Sequence, residues 1–301
     1  MSAIDQTSRL LAEVFPDSDI SRLDYLDWLY LRSPFGRVIE TNLDDEEGRA
    51  GHYALVPITM SDAGAGHRAA LSLNTAVNER ARGGGVFVRL ASETIAAAAA
   101  QGIEEVVGVA NANSTPGFVR RLEFELVGQL PATVMLPTPG SRAGIASGTA
   151  DGAAFASGGL AAGAEGLLSP PPGGEGRLWD PQTLRWRLER PGARYALHRR
   201  ADLLAVSTAE RRGGVSVAVL LKVFAAMPLG PQAQRALIRA VCRHHRAPTA
   251  LHVGLNELTG FRGVALPRRL RPSPLNLIRR NLTAAERAPI VRFELLDFDA
   301  Y

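Results

Sequence analysis

A strand that runs into three consecutive glycines and then into a helix is the feature that most restricts this fold. Residues 77–87 read Val-Asn-Glu-Arg-Ala-Arg-Gly-Gly-Gly-Val-Phe, between an apolar alternating stretch and an alanine-rich stretch. Glycine lets a backbone approach a ligand closely, and the free N–H groups of a first helical turn attract anions. The segment therefore predicts an anion-binding loop that suits a pyrophosphate, with a flexible tight turn as the alternative.

Motif spacing excludes several other kinds of site. No Lys-Ser/Thr follows the glycines as in a P-loop, and the G-x-G-x-x-G spacing of dinucleotide folds is absent. The single cysteine, Cys242, allows neither an intrachain disulfide nor a cysteine metal cluster. His244 and His245 are adjacent and cannot form an i, i+4 metal pair on a helix. We therefore expect no metal.

Hydrophobic periodicity predicts an α/β first half. Helical spacing, period-two alternation and turn residues divide this half into elements. The predicted helices are 6–14, 19–31, 86–101 and 116–122, and the predicted strands are 37–41, 52–60, 67–77, 105–109 and 126–136.

The second half has a similar order of elements. The predicted strands are 194–198, 203–207, 215–224, 250–253 and 291–298, and the predicted helices are 232–245 and 275–281. Both halves share a β-β-α-β order, which suggests that the second is a degenerate copy of the first and that the two sheets share strands. Lys222 is expected at the end of a strand with its ammonium in water.

Composition divides the chain into three parts. Residues 138–178 are mainly Gly, Ala, Ser and Pro, which predicts a linker between a first domain, 1–137, and a second α+β domain, 179–301. Residues 1–178 have a net charge of −8 and residues 179–301 of +12. A basic half can attract nucleic acid, an acidic membrane or a phosphorylated small molecule. A general preference for arginine is the alternative explanation.

The glycine segment resembles the cofactor motif of the GCN5-related N-acetyltransferase (GNAT) superfamily. That motif is a strand ending in Val, then Arg/Gln-x-x-Gly-x-Gly/Ala, then a helix. Val77 and the run from Arg82 to Phe87 match it, with Phe87 in place of the last small residue. A register that begins at Arg80 also fits, but Arg82 starts the helix at Val86 and is preferred.

Later family elements follow in order, so the resemblance covers about residues 10–137. The stretch from Phe118 to Phe124 resembles the family's terminal Tyr-x-x-Leu-Gly-Phe helix. It departs from that pattern at two positions. Val119 stands where many members have a general-acid tyrosine, and Glu123 stands where they have glycine. The first departure leaves the proton donor to the leaving thiolate open.

The resemblance implies an α/β (α+β) fold: a GNAT-like mixed sheet flanked by helices and splayed between the strands that end near Val77 and Val109. Acetyl-CoA, or another short acyl-CoA, would be the co-substrate, and an amine would attack its thioester directly. Backbone N–H groups near a bulge at 74–76 would polarise the thioester carbonyl. The residues implied to bind the cofactor are Thr75, Ala76, Val77, Arg82, Gly83, Gly84, Gly85, Val86, Phe87 and Asn113.

Four polar residues are expected to face the cleft as catalytic candidates. They are His52, Asn74, Asn111 and Ser114. Structural roles are the alternatives for three residues: His52 as a buried histidine, and Asn111 and Asn113 as caps or turn residues.

The predicted function is N-acyl transfer to a small-molecule amine, with a non-catalytic CoA-binding or scaffold protein as the alternative that Val119 favours. The basic half and a loose resemblance to bacterial surface-polysaccharide enzymes predict a phosphorylated or nucleotide-linked amino sugar. Nucleic acid is not expected, because no aromatic residues interleave with Arg268, Arg269, Arg271, Arg279 and Arg280. The sequence shows no secretory signal or membrane span, so we expect a cytoplasmic enzyme. The sequence leaves the oligomeric state open, with a homodimer as one alternative.

Overall fold

The computed structural model describes residues 2–62, 64–140, 144–168, 173–266, 274–299 and 301. Its helices are α1 (Ala3–Val14), α2 (Leu23–Leu26), α3 (Val86–Ala100), α4 (Thr115–Arg121), α5 (Glu165–Leu168), α6 (Pro181–Leu188) and α7 (Pro231–His244). Its strands are β1 (Ile39–Asp45), β2 (Gly48–Asp62), β3 (Ala65–Val77), β4 (Glu105–Ala110), β5 (Glu125–Gln129), β6 (Ala132–Met135), β7 (Ala146–Thr149), β8 (Glu175–Arg177), β9 (Ala196–Arg200), β10 (Leu203–Arg212), β11 (Val215–Ala225), β12 (Ala250–Asn256), β13 (Val264–Ala265), β14 (Asn276–Asn281) and β15 (Ile290–Glu294).

The antiparallel hairpin of β2 and β3 organises the first half. β1 pairs with the other edge of β2, and β4 joins β3 in parallel. Helix α3 covers β1 and β2 and buries Leu90, Ile95 and Ala98 at helical spacing. This mixed sheet flanked by helices confirms the predicted fold class, and α3 begins at Val86 as predicted.

The second half repeats this pairing pattern. β9, β10 and β11 form an antiparallel meander, and β12 joins β11 in parallel after helix α7. Each half also receives a strand from the other. β14 lies between β4 and β5, whereas β6 lies between β12 and β13. The expectation that the two sheets share strands is confirmed.

Strand β14 corrects the predicted helix at 275–281. Its residues Leu277, Ile278 and Arg279 are all buried, because neighbouring strands flank it and both of its faces are covered. A strand buried on both faces has no period-two alternation, so a short apolar run does not distinguish it from a helix.

The stretch predicted as a linker contributes to the sheet. Its described residues include β7, α5 and β8, and β8 pairs with both β2 and β15. The boundaries at 137 and 178 stay a prediction. Helix α6 was not predicted, although its start has a capping box of Asp180 and Thr183 with Pro181 in the first turn.

Lys222 is buried, which corrects the expectation of an ammonium in water. Its Nζ lies 2.7 Å from Asp297 Oδ2 and 3.3 Å from Glu294 Oε2. Burial alone would lower the pKa of Lys222, but attraction to Asp297 and Glu294 outweighs it and raises that pKa. The apolar sequence around Lys222 did not indicate these partners, because Glu294 and Asp297 follow more than 70 residues later in the chain.

The acidic and basic parts of the chain are paired with each other. Arginines of the basic part contact carboxylates of the acidic part at 2.7–3.2 Å. These pairs are Arg190–Asp19, Arg279–Glu175, Arg280–Glu123 and Arg287–Glu104. These ion pairs between the two parts of the chain therefore neutralise some of the charges that make the sequence asymmetric.

His67, Glu105 and Glu175 form a buried ionic cluster at the end of β3 opposite the glycine loop. His67 Nε2 lies 3.0 Å from Glu105 Oε2 and 3.2 Å from Glu175 Oε1, and Arg279 Nη1 lies 3.2 Å from Glu175 Oε2. The potential ligand atoms of the first three lie within 4.8 Å of one another, as a metal ion would need. A protonated His67 and Arg279 already balance the two carboxylates, so this arrangement is an ion-pair cluster.

The cluster predicts a pH-dependent contribution to stability. Burial would lower the pKa of His67, but hydrogen bonds to Glu105 and Glu175 outweigh it and raise the pKa from 6.5 to about 9. Because the folded-state pKa exceeds the unfolded one, the stabilisation is complete below pH 6.5 and is lost as the pH rises through about 9. We expect the free energy of unfolding, measured with urea, to fall between pH 6 and pH 10 by about 2 kcal/mol more in wild type than in His67→Gln. An equal loss in both proteins would contradict the assignment.

Candidate functional site

A cleft opens where β3 and β4 separate. Their parallel pairing runs from Ala69–Glu105 to Ser72–Gly108 and then stops, although β3 continues to Val77. The resulting cavity has a volume of about 560 Å³. It is lined by Val14, Ser72, Leu73, Asn74, Thr75, Val77, Arg82, Phe87, Val109, Ala110, Asn111, Asn113, Ser114, Gly117, Phe118 and Leu275. The predicted splay near Val77 and Val109 is confirmed.

A β-bulge lies on the β3 wall of this cleft. Ala54 pairs with Leu73 and His52 with Ala76, so Tyr53 is opposite both Asn74 and Thr75. Asn74 has a φ of +51°, a left-handed conformation that asparagine tolerates better than most residues. A bulge leaves backbone groups outside the ladder. The predicted bulge at 74–76 is confirmed, and its backbone groups border the cavity.

The three glycines form the turn from β3 into α3. Gly83, Gly84 and Gly85 have φ values of +98°, +55° and +74°, which side chains rarely adopt. A Cβ at any of them would meet no other atom within 4 Å, so the loop faces open space. Glycine is therefore favoured at each of the three positions because of the backbone conformation.

The N-terminus of α3 borders a second cavity of about 390 Å³ that adjoins the first. The two cavities share Val77, Arg82, Phe87 and Gly117. Among the described residues, no side chain caps α3, so N–H groups of its first turn are available to a ligand. Arginines 82, 120 and 121 line this cavity. Helix dipole and arginines together favour an anionic group such as a pyrophosphate.

Most of the sequence-predicted cofactor residues are brought together here. Those that line one or both cavities are Thr75, Val77, Arg82, Gly83, Gly85, Val86, Phe87 and Asn113. Gly84 is exposed within the same loop, whereas Ala76 is buried at 2% exposure against the helices of the first 30 residues. Arg80 pairs with Asp45 and lines neither cavity, which agrees with the preferred register from Arg82.

The four catalytic candidates separate into two groups. Asn74, Asn111 and Ser114 line the larger cavity. Asn111 Oδ1 also accepts hydrogen bonds from the backbone N–H groups of Asn113 and Ser114, at 3.0 and 2.9 Å, which stabilises the turn into α4. His52, predicted to face the cleft, is instead fully buried and lines neither cavity.

His52 is neutral in its buried position. Burial, together with the nearby Arg49, lowers its pKa to about 3. A base with so low a pKa cannot accept a proton from an ammonium near neutral pH. The apolar strand around His52 indicated that this residue could be buried, but it did not indicate the hydrogen-bond partners, Asn42 on β1 and Tyr30 after α2.

Sequence reasoning missed several residues at the cleft, among them Phe118, Leu275 and Tyr30. Phe118 and Leu275 line the larger cavity, and Tyr30 contacts Asn74 from behind it. Phe118 lies in the family-like helix, where its aromatic ring was a usable signal. Leu275 and Tyr30 come from distant segments, and nothing in the local sequence connects them to the glycine loop.

The structure supports the register of the family-like terminal helix. Glu123, which stands where the family has glycine, has a φ of +57°. A left-handed residue at that position is the conformation that glycine favours. Val119, at the position of the family's tyrosine, is 37% exposed and is absent from the described lining of both cavities.

The corresponding cleft of the second half is filled by the chain's own side chains. The parallel pairing of β11 and β12 stops at Leu220–His252, and β11 has a bulge just after Leu220. The backbone N–H of Val223 donates to Glu294 Oε2 at 3.4 Å, and Lys222 occupies the space beside it. The cavity that remains there is about 30 Å³. The two halves thus share a scaffold, but the open glycine loop beside a large cavity belongs to the first.

The arginine run considered for nucleic acid does not form a described surface. Arg268, Arg269 and Arg271 lie outside the described residues. Arg279 and Arg280 make ion pairs with Glu175 and Glu123.

Comparison of the fold with solved structures decides the fold family. A GCN5-related N-acetyltransferase from Anabaena variabilis matches with a TM-score of 0.66 and 15% identity, over 93% of this chain and 70% of that one. The chain has the GNAT fold. A probable N-acyltransferase from Enterococcus faecalis matches with a TM-score of 0.64 and 13% identity, over 93% and 70% of the two chains.

An N-myristoyltransferase also has a fold similar to that of this chain. The N-myristoyltransferase of Saccharomyces cerevisiae, solved with bound myristoyl-CoA, matches with a TM-score of 0.58 and 10% identity, over 98% of this chain and 80% of that one. Neither a family model nor a curated protein matches the sequence. Of the helices within the described ranges, none is both long and apolar enough to cross a bilayer.

The glycine loop yields a direct prediction about ligand binding. Replacing Gly84 and Gly85 with alanine places Cβ atoms in the open space of the loop and strains two left-handed residues by about 1–2 kcal/mol each. We expect Gly84→Ala/Gly85→Ala to weaken acetyl-CoA binding at least about tenfold by calorimetry, with the fold retained.

The matched control is Gly213→Ala/Gly214→Ala in the β10–β11 turn. These glycines have φ values of +56° and +80°, and a Cβ at either of them would also meet no other atom within 4 Å. The control should bind acetyl-CoA as wild type does. Equal affinities in all three proteins would show that the loop is not the cofactor site.

Proposed function

We propose that the chain is an acyl-CoA-dependent N-acyltransferase that uses the cleft of its first half. The observation that supports this most strongly is the arrangement of two adjoining cavities. One has an uncapped helix N-terminus beside three arginines, and the other has a β-bulge on its wall. A pyrophosphate fits the first chemically, and a thioester carbonyl fits the second.

The bulge would act on the carbonyl oxygen of the thioester. Backbone donors near Asn74 and Thr75 would stabilise the negative charge that develops there as the amine attacks. The amine nitrogen forms a bond to the carbonyl carbon, and the carbon–sulfur bond breaks. The CoA sulfur leaves as a thiolate, and its pKa, near that of cysteine at about 8.5, lets water protonate it without the missing tyrosine.

The attacking amine must reach the thioester as the free base. Neither a carboxylate nor an imidazole is among the described residues that line the two cavities. Asn74, Asn111 and Ser114 can orient an amine by hydrogen bonds, but at neutral pH their side chains do not accept its proton. We infer that the acceptor loses its proton to water before attack.

The need for a neutral amine favours acceptors of low basicity. An amine of low basicity has a larger neutral fraction near pH 7, and amino sugars are amines of this kind. Such an acceptor agrees with the phosphorylated or nucleotide-linked amino sugar expected from the sequence. The internal pairing of several arginines weakens the charge argument for a phosphate, so the anionic group stays a prediction. The cytoplasmic location and the oligomeric state also stay predictions.

A thiol-release assay tests the proposal. With acetyl-CoA and a panel of amino sugars, polyamines and peptides, we expect amine-dependent release of CoA by wild type and loss of that release in Gly84→Ala/Gly85→Ala. Binding without release for every amine would support the alternative, a non-catalytic CoA-binding protein, which the exposed Val119 favours.

The pH dependence provides a separate prediction. Because none of the described residues that line the two cavities is a base, kcat/KM should rise with pH, with the midpoint of the rise at the pKa of the acceptor amine. Two acceptors whose amine pKa values differ by about one unit should give midpoints that differ by the same amount. One shared midpoint would show that a group of the protein takes the proton.

A further inference from the structure

A hydrogen-bonded chain of side chains runs from the cleft into the core behind it. Tyr30 lies on a π-helical turn, Asp27–Leu31, that continues α2, and it is 2% exposed. Its hydroxyl lies 3.2 Å from Asn74 Nδ2 and 2.9 Å from His52 Nε2. His52 Nδ1 in turn lies 2.7 Å from Asn42 Oδ1. Four side chains, from the π-helical turn, β1, β2 and β3, are thus connected by consecutive hydrogen bonds.

The assigned amide groups of Asn42 and Asn74, with a neutral His52, give one direction for each hydrogen bond. Asn42 Oδ1 accepts from His52 Nδ1–H, so the neutral ring presents Nε2 as an acceptor to the Tyr30 hydroxyl. Burial raises the pKa of Tyr30 and keeps its proton in place to be donated. The same hydroxyl oxygen accepts from Asn74 Nδ2–H. Each donor in the series, on His52, Tyr30 and Asn74, therefore has an acceptor on the next side chain.

Asn74 needs such support because of its backbone conformation. A left-handed φ of +51° costs an L-residue about 1–2 kcal/mol. A buried hydrogen bond stabilises by about 1 kcal/mol, which is enough to offset most of that cost. The Asn74 side chain is thus fixed from behind while its backbone forms the wall of the cleft.

We propose that Tyr30 and His52 are positioning residues that hold the Asn74 bulge in the geometry that polarises an acyl carbonyl. The inference rests on the proposed function, since it assigns a role in acyl transfer to side chains that never touch the substrate. Asn42 fixes the orientation of His52, and the π-helical turn places Tyr30 at the required distance. The buried histidine serves the reaction by orientation and takes no proton.

Tyr30→Phe removes the hydroxyl and keeps the ring. Acyl-CoA affinity should stay within about twofold, because the glycine loop is untouched, whereas kcat should fall about 10- to 100-fold as the donors move. Tyr25→Phe is the matched control. Tyr25 belongs to α2, is equally buried and donates to Asp299 instead of Asn74, so its loss should leave kcat unchanged.

Two substitutions at Asn74 separate the backbone from the side chain. Glycine adopts the left-handed conformation without strain and alanine does not. We expect kcat of Asn74→Gly to be several-fold higher than that of Asn74→Ala. Adding Tyr30→Phe to either variant should not lower kcat further. Additive losses in the Tyr30→Phe/Asn74→Gly protein would contradict the chain, because its members act through one another.

The carbonyl stretch of bound acetyl-CoA, labelled with ¹³C at the carbonyl, gives a readout that needs no turnover. Difference infrared spectra without acceptor should show a lowered frequency in wild type and Tyr25→Phe, and a value near that of free acetyl-CoA in Tyr30→Phe. An unchanged frequency and kcat in Tyr30→Phe would overturn the inference. Failure of the proposed function is distinguishable, because wild type itself would then bind no acetyl-CoA or release no thiol.

Discussion

The parallel pairing of β3 and β4 ends at Ser72 and Gly108, and the whole candidate site depends on that divergence. Up to this point the two strands share hydrogen bonds. Beyond it, β3 carries its bulge and its glycine turn along an open wall. Backbone groups released from the ladder are the donors that a thioester carbonyl and a pyrophosphate require. The proposed chemistry therefore relies on backbone donors, together with Arg82, Arg120 and Arg121 beside the helix N-terminus.

In the second half the same strand divergence is present, but side chains fill it. β11 and β12 also diverge after a short parallel pairing, and a bulge again follows. There Glu294 accepts the backbone N–H of Val223, and Lys222 neutralises the carboxylates of Glu294 and Asp297. Removing one member of such a buried group costs about 3–5 kcal/mol, so the filled cleft also stabilises the fold. Exchange of β6 and β14 then joins the open and the filled half into one body.

The sequence predicted the parts of this structure that local chemistry determines. Three consecutive glycines before an apolar helix specify left-handed backbone and a free helix N-terminus wherever the chain places them. The bulge and the splay were predicted from the family resemblance and could not have been derived from Asn74 itself.

Contacts between distant segments could not be predicted from the sequence. β14 looked helical because the strands that pair with its two edges, β4 and β5, lie more than 140 residues earlier in the chain. Lys222 looked exposed because its acidic partners come near the C-terminus. His52 was predicted to face the cleft, which was wrong, and its connection to the cleft through Tyr30 depends on the π-helical turn.

Hydrogen exchange with and without acetyl-CoA tests the central claim most directly, namely that the ligand occupies the divergence of the first half alone. The claim predicts slower exchange of backbone amides in peptides that cover 73–77 and 83–88, with unchanged exchange in 220–225 and 252–256. Protection of the second-half segments, or none around the glycine loop at saturating acetyl-CoA, would contradict it.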